Sequence, residues 1–271
     1  MFWTRLASGV VLLAIAAGTM GLGGIPLALL LWAASLGAFR ELTRALGVGE
    51  NGISCLELIG FLGITGYYLL LYFSGEHIWL MMCIVGTFLA FLFAYVFAFP
   101  KFNAGQVMAA AFSYMYAPVL LAFVYLTRMC PQGIYTVWMV LISSWGCDTC
   151  AYAVGKLVGR KKIFPVLSPK KSLEGCIGGV AGAALIGGLY GCFFVEKAFP
   201  DQRVAGAIAV ICGVGAVMSM VGDLAASAIK RNADIKDYGK LIPGHGGIMD
   251  RFDSMIITAP MTYFLTVLLL Q

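Results

Sequence analysis

Long apolar runs dominate the chain, and short polar or glycine-containing segments separate them. The runs are continuous and lack the apolar–polar alternation of barrel strands, so they predict helices. Most are about 20 residues long, which is the length a helix needs to cross a bilayer. The pattern predicts an all-α, polytopic integral membrane protein with about nine transmembrane helices. The predicted spans are residues 6–22, 25–42, 54–73, 78–98, 107–127, 134–155, 176–195, 204–228 and 254–270.

The composition supports a membrane setting. Hydrophobic residues make up 61% of the 271 residues and charged residues 11%, whereas a soluble domain carries about 25% charged residues. The first run follows Arg5 and ends in small residues, as a signal peptide does, but we expect it to remain as the first span. The eight cysteines lie mostly in apolar runs, and Cys147 and Cys150 have no second pair at zinc spacing, so neither a metal centre nor disulfides are expected.

The positive charges are distributed unevenly between the predicted loops. When the loops are assigned to alternating sides, 15 of the 18 Lys and Arg residues fall on one side. Only Arg128, Lys197 and Arg203 fall on the other side. The positive-inside rule makes the basic side cytosolic. The sequence therefore predicts a cytosolic N-terminus and a C-terminus outside.

Two aspartates, Asp148 and Asp223, lie within predicted spans. An Asp in a span costs about 2.5–3.5 kcal/mol on insertion scales, so it usually faces a protein cavity, although a helix-end position wetted by headgroup water is an alternative. Each aspartate has further polar residues three or four positions away, so that on a helix they form one polar stripe. The stripes predict a wet cavity on the cytosolic face or, alternatively, hydrogen bonding between helices. The two stripes are Ser219, Asp223, Ser227, Lys230 and Asp234, and Ser144, Asp148 and Tyr152.

Two cytosolic loops carry candidate phosphate-binding residues. In the first, Lys170 and Lys171 lie between Ser168 and Ser172, whereas we interpret Arg160–Lys162 as ordinary positive-inside charges. In the second, glycines surround His245, for which we predict a role in the site, since glycine N–H groups can point at an anion. Asp250 follows and could cap the last span, or meet Asp223. The second interpretation implies a divalent cation, Mg2+, and metal-dependent phosphoryl or nucleotidyl transfer.

A long motif then identifies a family. The run Ser227-x-x-Lys230-Arg231-x4-Lys236-Asp237-x4-Ile242-Pro243-Gly244-His245-Gly246-Gly247-x-x-Asp250-Arg251-x-Asp253 resembles the signature of phosphatidate cytidylyltransferases, or CDP-diacylglycerol synthases. Two upstream blocks, Asp148–Tyr152 and Ser168–Gly175, also resemble family blocks, with Ser172 where Thr is usual. The resemblance implies that CTP and phosphatidic acid react to give CDP-diacylglycerol and pyrophosphate. In this reaction a phosphatidate oxygen attacks the α-phosphorus of CTP.

The resemblance also implies roles for individual residues. Asp223 and Asp250 match the metal-binding carboxylates, and with Lys230 and His245 they are the expected catalytic residues. Mg2+ is the expected cofactor, with a second cation left open. The expected substrate-binding residues are Asp148, Ser168, Lys170, Lys171, Ser172, Glu174, Ser227, Arg231, Lys236, Asp237, Pro243, Gly244, Gly246, Gly247, Arg251 and Asp253.

We expect residues 1–130 to be a transmembrane scaffold and residues 131–271 the catalytic transmembrane region of one membrane domain. The expected partners are CTP, phosphatidic acid, membrane lipid and a second copy of the chain, with no nucleic acid, and the expected location is a bacterial plasma membrane. Tight glycine spacing in the seventh span could pack helices or join two protomers. A membrane polyprenol or lipid kinase is the first alternative function, and a cation-coupled transporter the second; a CDP-alcohol phosphotransferase would need a DGxxAR-type run, which the sequence lacks.

Overall fold

A computed structural model describes residues 2–49, 52–199, 203–241 and 246–271, with side chains from Gly9 onward. Within these residues the chain forms nine long helices, which we number in chain order. They are α1 Phe2–Leu22, α2 Gly24–Ala45, α3 Cys55–Phe73, α4 His77–Phe97, α5 Ala104–Met129, α6 Gly133–Val158, α7 Leu173–Ala198, α8 Ala205–Asn232 and α9 Met249–Leu270.

The predicted all-α membrane architecture is confirmed. The helices α2 to α9 are long and apolar enough to cross a membrane, and the described side chains of α1 form a shorter apolar stretch, Gly9–Leu22. Each predicted span coincides with one helix to within five residues at either end. The orientation of the termini stays a prediction.

Local capping fixes several helix starts. Ser54 and Glu57 form a reciprocal capping box at the start of α3, which satisfies two backbone N–H groups that the helix itself leaves unpaired. Ser172 caps α7, and its hydroxyl accepts a hydrogen bond from the Gly175 N–H at 3.2 Å. The hydroxyl at position 172 is therefore used to start a helix, which a Ser and a Thr can both do.

The helix α6 changes its geometry just before Asp148. Residues Ile142–Gly146 form a π-helical turn, which shifts the side-chain register relative to an α-helix. Ser144 is fully buried and donates to the Val140 carbonyl, whereas Asp148 and Tyr152 are exposed. The predicted stripe of Ser144 with Asp148 and Tyr152 is therefore wrong at its first member.

The described residues divide into two compact units. The first unit contains the residues up to Ala122 together with Ala233–Arg251, and the second contains Phe123–Asn232 together with Phe252–Gln271. The described residues on either side of the glycine-rich motif's centre, 233–241 and 246–251, thus cluster with the N-terminal helices. The functional division at residue 130 stays a prediction.

In the first unit, a fully buried glutamate connects α2, α3 and the turn between them. Glu57 pairs with Arg40 and accepts a hydrogen bond from Thr43 at 2.8 Å. Its second carboxylate oxygen accepts the Ser54 N–H at 2.9 Å. Because a buried charge must be compensated by partners of this kind, the loss of one of these partners would destabilise this unit.

In the second unit, glycines let α7 approach both of its neighbours. Gly178 and Gly182 face α6, and Gly187 and Gly191 face α8. A Cβ atom at Gly182 would lie 2.6 Å from Sγ of Cys150, and one at Gly187 would lie 2.6 Å from Sγ of Cys212. The expected helix-packing role is confirmed, and these faces are occupied within one chain rather than by a second protomer.

Candidate active site

An open cavity of about 510 Å3 lies in the second unit, where α6, α7 and the loop between them meet. This volume is in the range of small-molecule pockets, about 300–1,000 Å3. Lysines and hydroxyl groups line it, with Asp148 and Tyr152 at its α6 side. The polar lining residues include Lys156, Lys162, Lys170, Lys171, Ser168 and Ser172. Ammonium and hydroxyl groups around a pocket of this size suit the oxygens of a phosphorylated ligand.

The loop that carries Lys162, Lys170 and Lys171 is held by hydrogen bonds to its backbone groups. Leu173 N–H donates to the Lys161 carbonyl at 2.8 Å. The Glu174 carboxylate accepts the N–H groups of Arg160, at 3.0 Å, and of Lys161, at 3.3 Å. Lys162 Nζ donates to the Lys170 carbonyl at 3.0 Å. The structure thus places Glu174 at the base of the loop, and its predicted contact with substrate stays a prediction.

Sequence reasoning missed two cavity residues, Lys156 and Lys162. We interpreted Arg160–Lys162 as ordinary topological charges, yet Lys162 lines the cavity. The spacing of Asp148, Tyr152 and Lys156, four residues apart on α6, was the signal that could have found Lys156, since it puts all three on one helix face.

An ion pair connects the loop to α8. Lys171 Nζ lies 2.5 Å from Oδ2 of Asp223, and the two side chains are 20% and 30% exposed. A cation from the first predicted loop therefore contacts the first predicted metal-binding carboxylate. This contact confirms that α8 and the loop contribute to one polar cluster.

A third carboxylate belongs to the same cluster. Asp253, in the first turns of α9, is 9% exposed, and its Oδ1 accepts the Ser254 N–H at 2.7 Å. It lies within electrostatic range of Asp223, Lys230 and Asp148. A Cβ atom at Gly222 would lie 2.7 Å from the Asp253 carbonyl oxygen. Close packing of α8 on α9 at this glycine brings Asp253 toward Asp223.

The polar stripe predicted along α8, from Ser219 to Asp234, is shorter than the residue spacing indicated. Ser219 is fully buried, while Asp223, Ser227 and Lys230 are partly exposed. Asp234 lies beyond the last residue of α8 and has a positive φ of 52°. Because the helix ends before it, Asp234 does not continue the stripe, and that part of the prediction is wrong.

The other predicted site residues from this stretch follow Lys230 in the sequence. Arg231 is exposed in the last turn of α8, and Lys236 and Asp237 are exposed on the connection that follows. Arg251 is partly exposed at the start of α9. The predicted residues Pro243, Gly244 and His245 lie outside the described residues.

In the first unit, Asp250 binds both ends of the glycine-rich segment, residues 238–247. It is 8% exposed, and its Oδ2 accepts the N–H of Tyr238 at 2.8 Å and the N–H of Gly247 at 3.0 Å. Gly246 has a positive φ of 85°, which a residue without Cβ adopts at little cost. Glu41 of α2, which sequence reasoning did not single out, accepts the N–H groups of Ile248 and Met249.

No group of three or more His, Cys, Asp or Glu side chains that could hold a metal ion occurs in the part of the chain that the structure describes. Asp223 belongs to the second unit and Asp250 to the first. The predicted pairing of these two carboxylates around a metal therefore stays a prediction.

Comparisons with known proteins agree with this chemistry. Residues 3–269 match the model of the cytidylyltransferase family. Over 92% of both chains, the protein is 30% identical to a phosphatidate cytidylyltransferase of Staphylococcus saprophyticus and 31% identical to one of Staphylococcus aureus. It is 41% identical to a phosphatidate cytidylyltransferase of Synechocystis sp. over 141 residues, which are 52% of this chain and 46% of that protein. The chain belongs to the cytidylyltransferase family, as its sequence motifs predict.

Proposed function

We propose that the protein is a phosphatidate cytidylyltransferase, which converts CTP and phosphatidic acid to CDP-diacylglycerol and pyrophosphate. The observation that supports this most directly is the lysine-lined cavity of about 510 Å3 beside Asp148, within helices that can span a membrane. Phosphoryl and nucleotidyl transfer needs alignment and charge stabilisation more than covalent help. The lysines of the cavity supply that charge.

The membrane setting suits a lipid substrate. The acyl chains can stay among the apolar helices while the phosphate reaches a polar cavity. We propose that this cavity faces the cytosol of a bacterial plasma membrane, because the loops carrying Lys156–Lys171 and Lys230–Arg251 are the most basic of the chain and basic loops stay inside. CTP would then arrive from the cytosol.

Within the cavity we assign the lysines to phosphate oxygens. Lys170 and Lys171 come from the family block, and the structure adds Lys156 and Lys162 as lining residues. Lys171 also lines the cavity, but its ammonium group is buried and paired with Asp223, so it would bind a phosphate oxygen only after leaving Asp223. We assign Asp148 and Ser168 to substrate orientation.

We propose Mg2+ as the cofactor, held by Asp223 and Asp250, with a second cation left open. The donors fit, because Mg2+ takes only one or two protein carboxylates and completes its octahedron with water and phosphate oxygens. When bound, Mg2+ would neutralise charge on the triphosphate. Asp223 and Asp250 are both carboxylates of limited exposure, so they offer localised negative charge.

The remaining motif residues are proposed as substrate-binding groups around this centre. One group would shape the glycine-rich loop: Pro243, Gly244, His245, Gly246 and Gly247. The basic and polar residues Lys230, Arg231, Ser227, Lys236 and Arg251 would bind phosphates directly or orient the loop. We propose a homodimer from the family resemblance alone. The molecular mass of the detergent-solubilised protein tests this oligomeric state.

The test is pyrophosphate release by purified protein in mixed micelles that contain phosphatidic acid, CTP and Mg2+. We expect release to require all three, and ATP or GTP not to replace CTP. Asp223→Asn should lower the rate about 100-fold or more, the scale of losing one electrostatic group at a reacting centre. Asp234→Asn, an exposed acid beyond the end of α8, is the matched control and should leave the rate within about twofold.

Two outcomes would contradict the proposal. Phosphate transfer from a nucleotide to a lipid alcohol, without pyrophosphate release, would instead support the lipid kinase. Near wild-type turnover by folded Asp223→Asn would remove this carboxylate from the reaction.

A further inference from the structure

The carboxylate of Glu41 connects α2 to a segment more than two hundred positions later in the chain. Its Oε1 accepts the Ile248 N–H at 3.1 Å and its Oε2 accepts the Met249 N–H at 2.8 Å. Met249 is the first residue of α9, so these N–H groups are among those that the helix cannot pair itself. Each carboxylate oxygen has one donor, which fixes the carboxylate in one orientation.

Glycines allow the backbone to close around this carboxylate. A Cβ atom at Gly247 would lie 2.5 Å from Cδ of Glu41, and one at Gly239 would lie 2.8 Å from the same atom. A Cβ atom at Gly239 would also lie 3.2 Å from Cα of Gly247. The two ends of the glycine-rich segment therefore approach each other beside Glu41.

Asp250 binds the same two ends. It accepts the N–H of Tyr238, adjacent to Gly239, and the N–H of Gly247, adjacent to Ile248. Glu41 and Asp250 thus share three successive backbone donors, at residues 247, 248 and 249, between them. Glu41 and Asp250 lie within electrostatic range and repel each other, and the ordered set of N–H groups offsets that repulsion.

We infer that Glu41 is a positioning residue for the cytidylyl transfer reaction: it holds the segment Gly246–Met249 against α2 and thereby fixes the orientation of Asp250. This inference rests on the proposed function only in its kinetic part. The hydrogen bonds to the loop exist independently of any substrate. The side chain acts through the backbone of the loop, at one remove from the reacting atoms.

The experiment compares wild type with Glu41→Gln, which keeps the size of the side chain but replaces one acceptor oxygen with an NH2 group that faces a backbone donor. We expect kcat to fall at least tenfold, while KM for phosphatidic acid stays within about twofold. Without substrate or metal, hydrogen–deuterium exchange should become at least tenfold faster at the Asp250-bound amides of Tyr238 and Gly247, as well as at Ile248 and Met249.

Glu57→Gln is the matched control, because Glu57 is a buried glutamate of the same unit that also accepts a backbone N–H, from Ser54. It should lower the unfolding temperature but leave kcat per folded enzyme within twofold and exchange of the glycine-rich segment unchanged. A purely structural role of Glu41 predicts the same result for both variants.

The inference is overturned if Glu41→Gln keeps kcat within twofold of wild type, or if Glu57→Gln reproduces its kinetic loss. It is also overturned if exchange at Tyr238 and Gly247 is unaffected. If wild-type protein releases no pyrophosphate from CTP, the proposed function fails, while the exchange comparison still decides whether Glu41 holds the loop.

Discussion

Breaking the ion pair between Lys171 and Asp223 should leave a charge partly buried and unpaired. The pair has an N–O distance of 2.5 Å with side chains 20% and 30% exposed, and Lys171 Nζ itself is buried. Exposed ion pairs contribute about 0.2–1 kcal/mol, whereas removing one partner of a fully buried pair costs about 3–5 kcal/mol. Solvent screening places this pair between the two, so we expect a coupling free energy of about 1–2 kcal/mol.

A double-mutant cycle measures this coupling. The variants are Lys171→Met, Asp223→Asn and their combination, and the readout is thermal unfolding in detergent micelles. The double variant should be more stable than the sum of the single variants predicts by about 1–2 kcal/mol, which corresponds to roughly 2–8 °C at about 2–4 °C per kcal/mol. High salt should reduce the coupling only in part, since the pair is largely shielded from solvent.

Lys170→Met provides the control, because Lys170 is exposed and adjacent in sequence. Its combination with Asp223→Asn should be additive. Additivity within about 0.5 kcal/mol for the Lys171 cycle as well would refute the reasoning, because it would mean that the two charges do not stabilise each other in the folded protein.

Two further predictions concern packing and the cavity. Gly182→Ala should lower the unfolding temperature, since its Cβ would lie 2.6 Å from Sγ of Cys150 and overpacking costs about 1–3 kcal/mol. Gly86→Ala, whose Cβ meets nothing within 4 Å, should leave the unfolding temperature unchanged. If Gly182→Ala instead lowers the mass of the oligomer without lowering the unfolding temperature, Gly182 lies at a protomer interface. Lys162→Met should raise KM for CTP or phosphatidic acid several-fold, whereas Lys161→Met should not; equal steady-state constants would remove Lys162 from the substrate site.

Much of the fold was predictable, because span length and hydropathy are local properties of a chain that must satisfy its backbone within lipid. The local exceptions were not. The π-helical turn Ile142–Gly146 changes the register before Asp148, and α8 ends two residues before Asp234. Neither feature alters hydropathy. The polar residues keep their four-residue spacing through both, so the sequence gives no sign of the change in the helix.

Residue type and spacing singled out Lys171 and Asp223 as site residues, and the structure pairs these two side chains, while their roles toward substrate and metal stay a prediction. Lys162 was missed, because a cation that keeps a loop in the cytosol and a cation that binds a phosphate look the same in sequence. Glu41 was missed for a different reason. It is separated by 207 residues from Ile248, whose N–H it binds, and no sequence pattern spans that separation.

The two loops of the proposed site are fastened in the same way, and this bears on how their lysines can be used. Glu174 accepts the N–H groups of the consecutive residues Arg160 and Lys161, and Glu41 accepts those of the consecutive residues Ile248 and Met249. A carboxylate that held its loop through a lysine side chain would neutralise a cation that a phosphate needs. Because these two glutamates bind backbone donors instead, they hold residues 160–161 and 248–249 without pairing with a lysine side chain of their own loop. Lys171 of the first loop is an exception among the lysines, since Asp223 of α8 pairs with it.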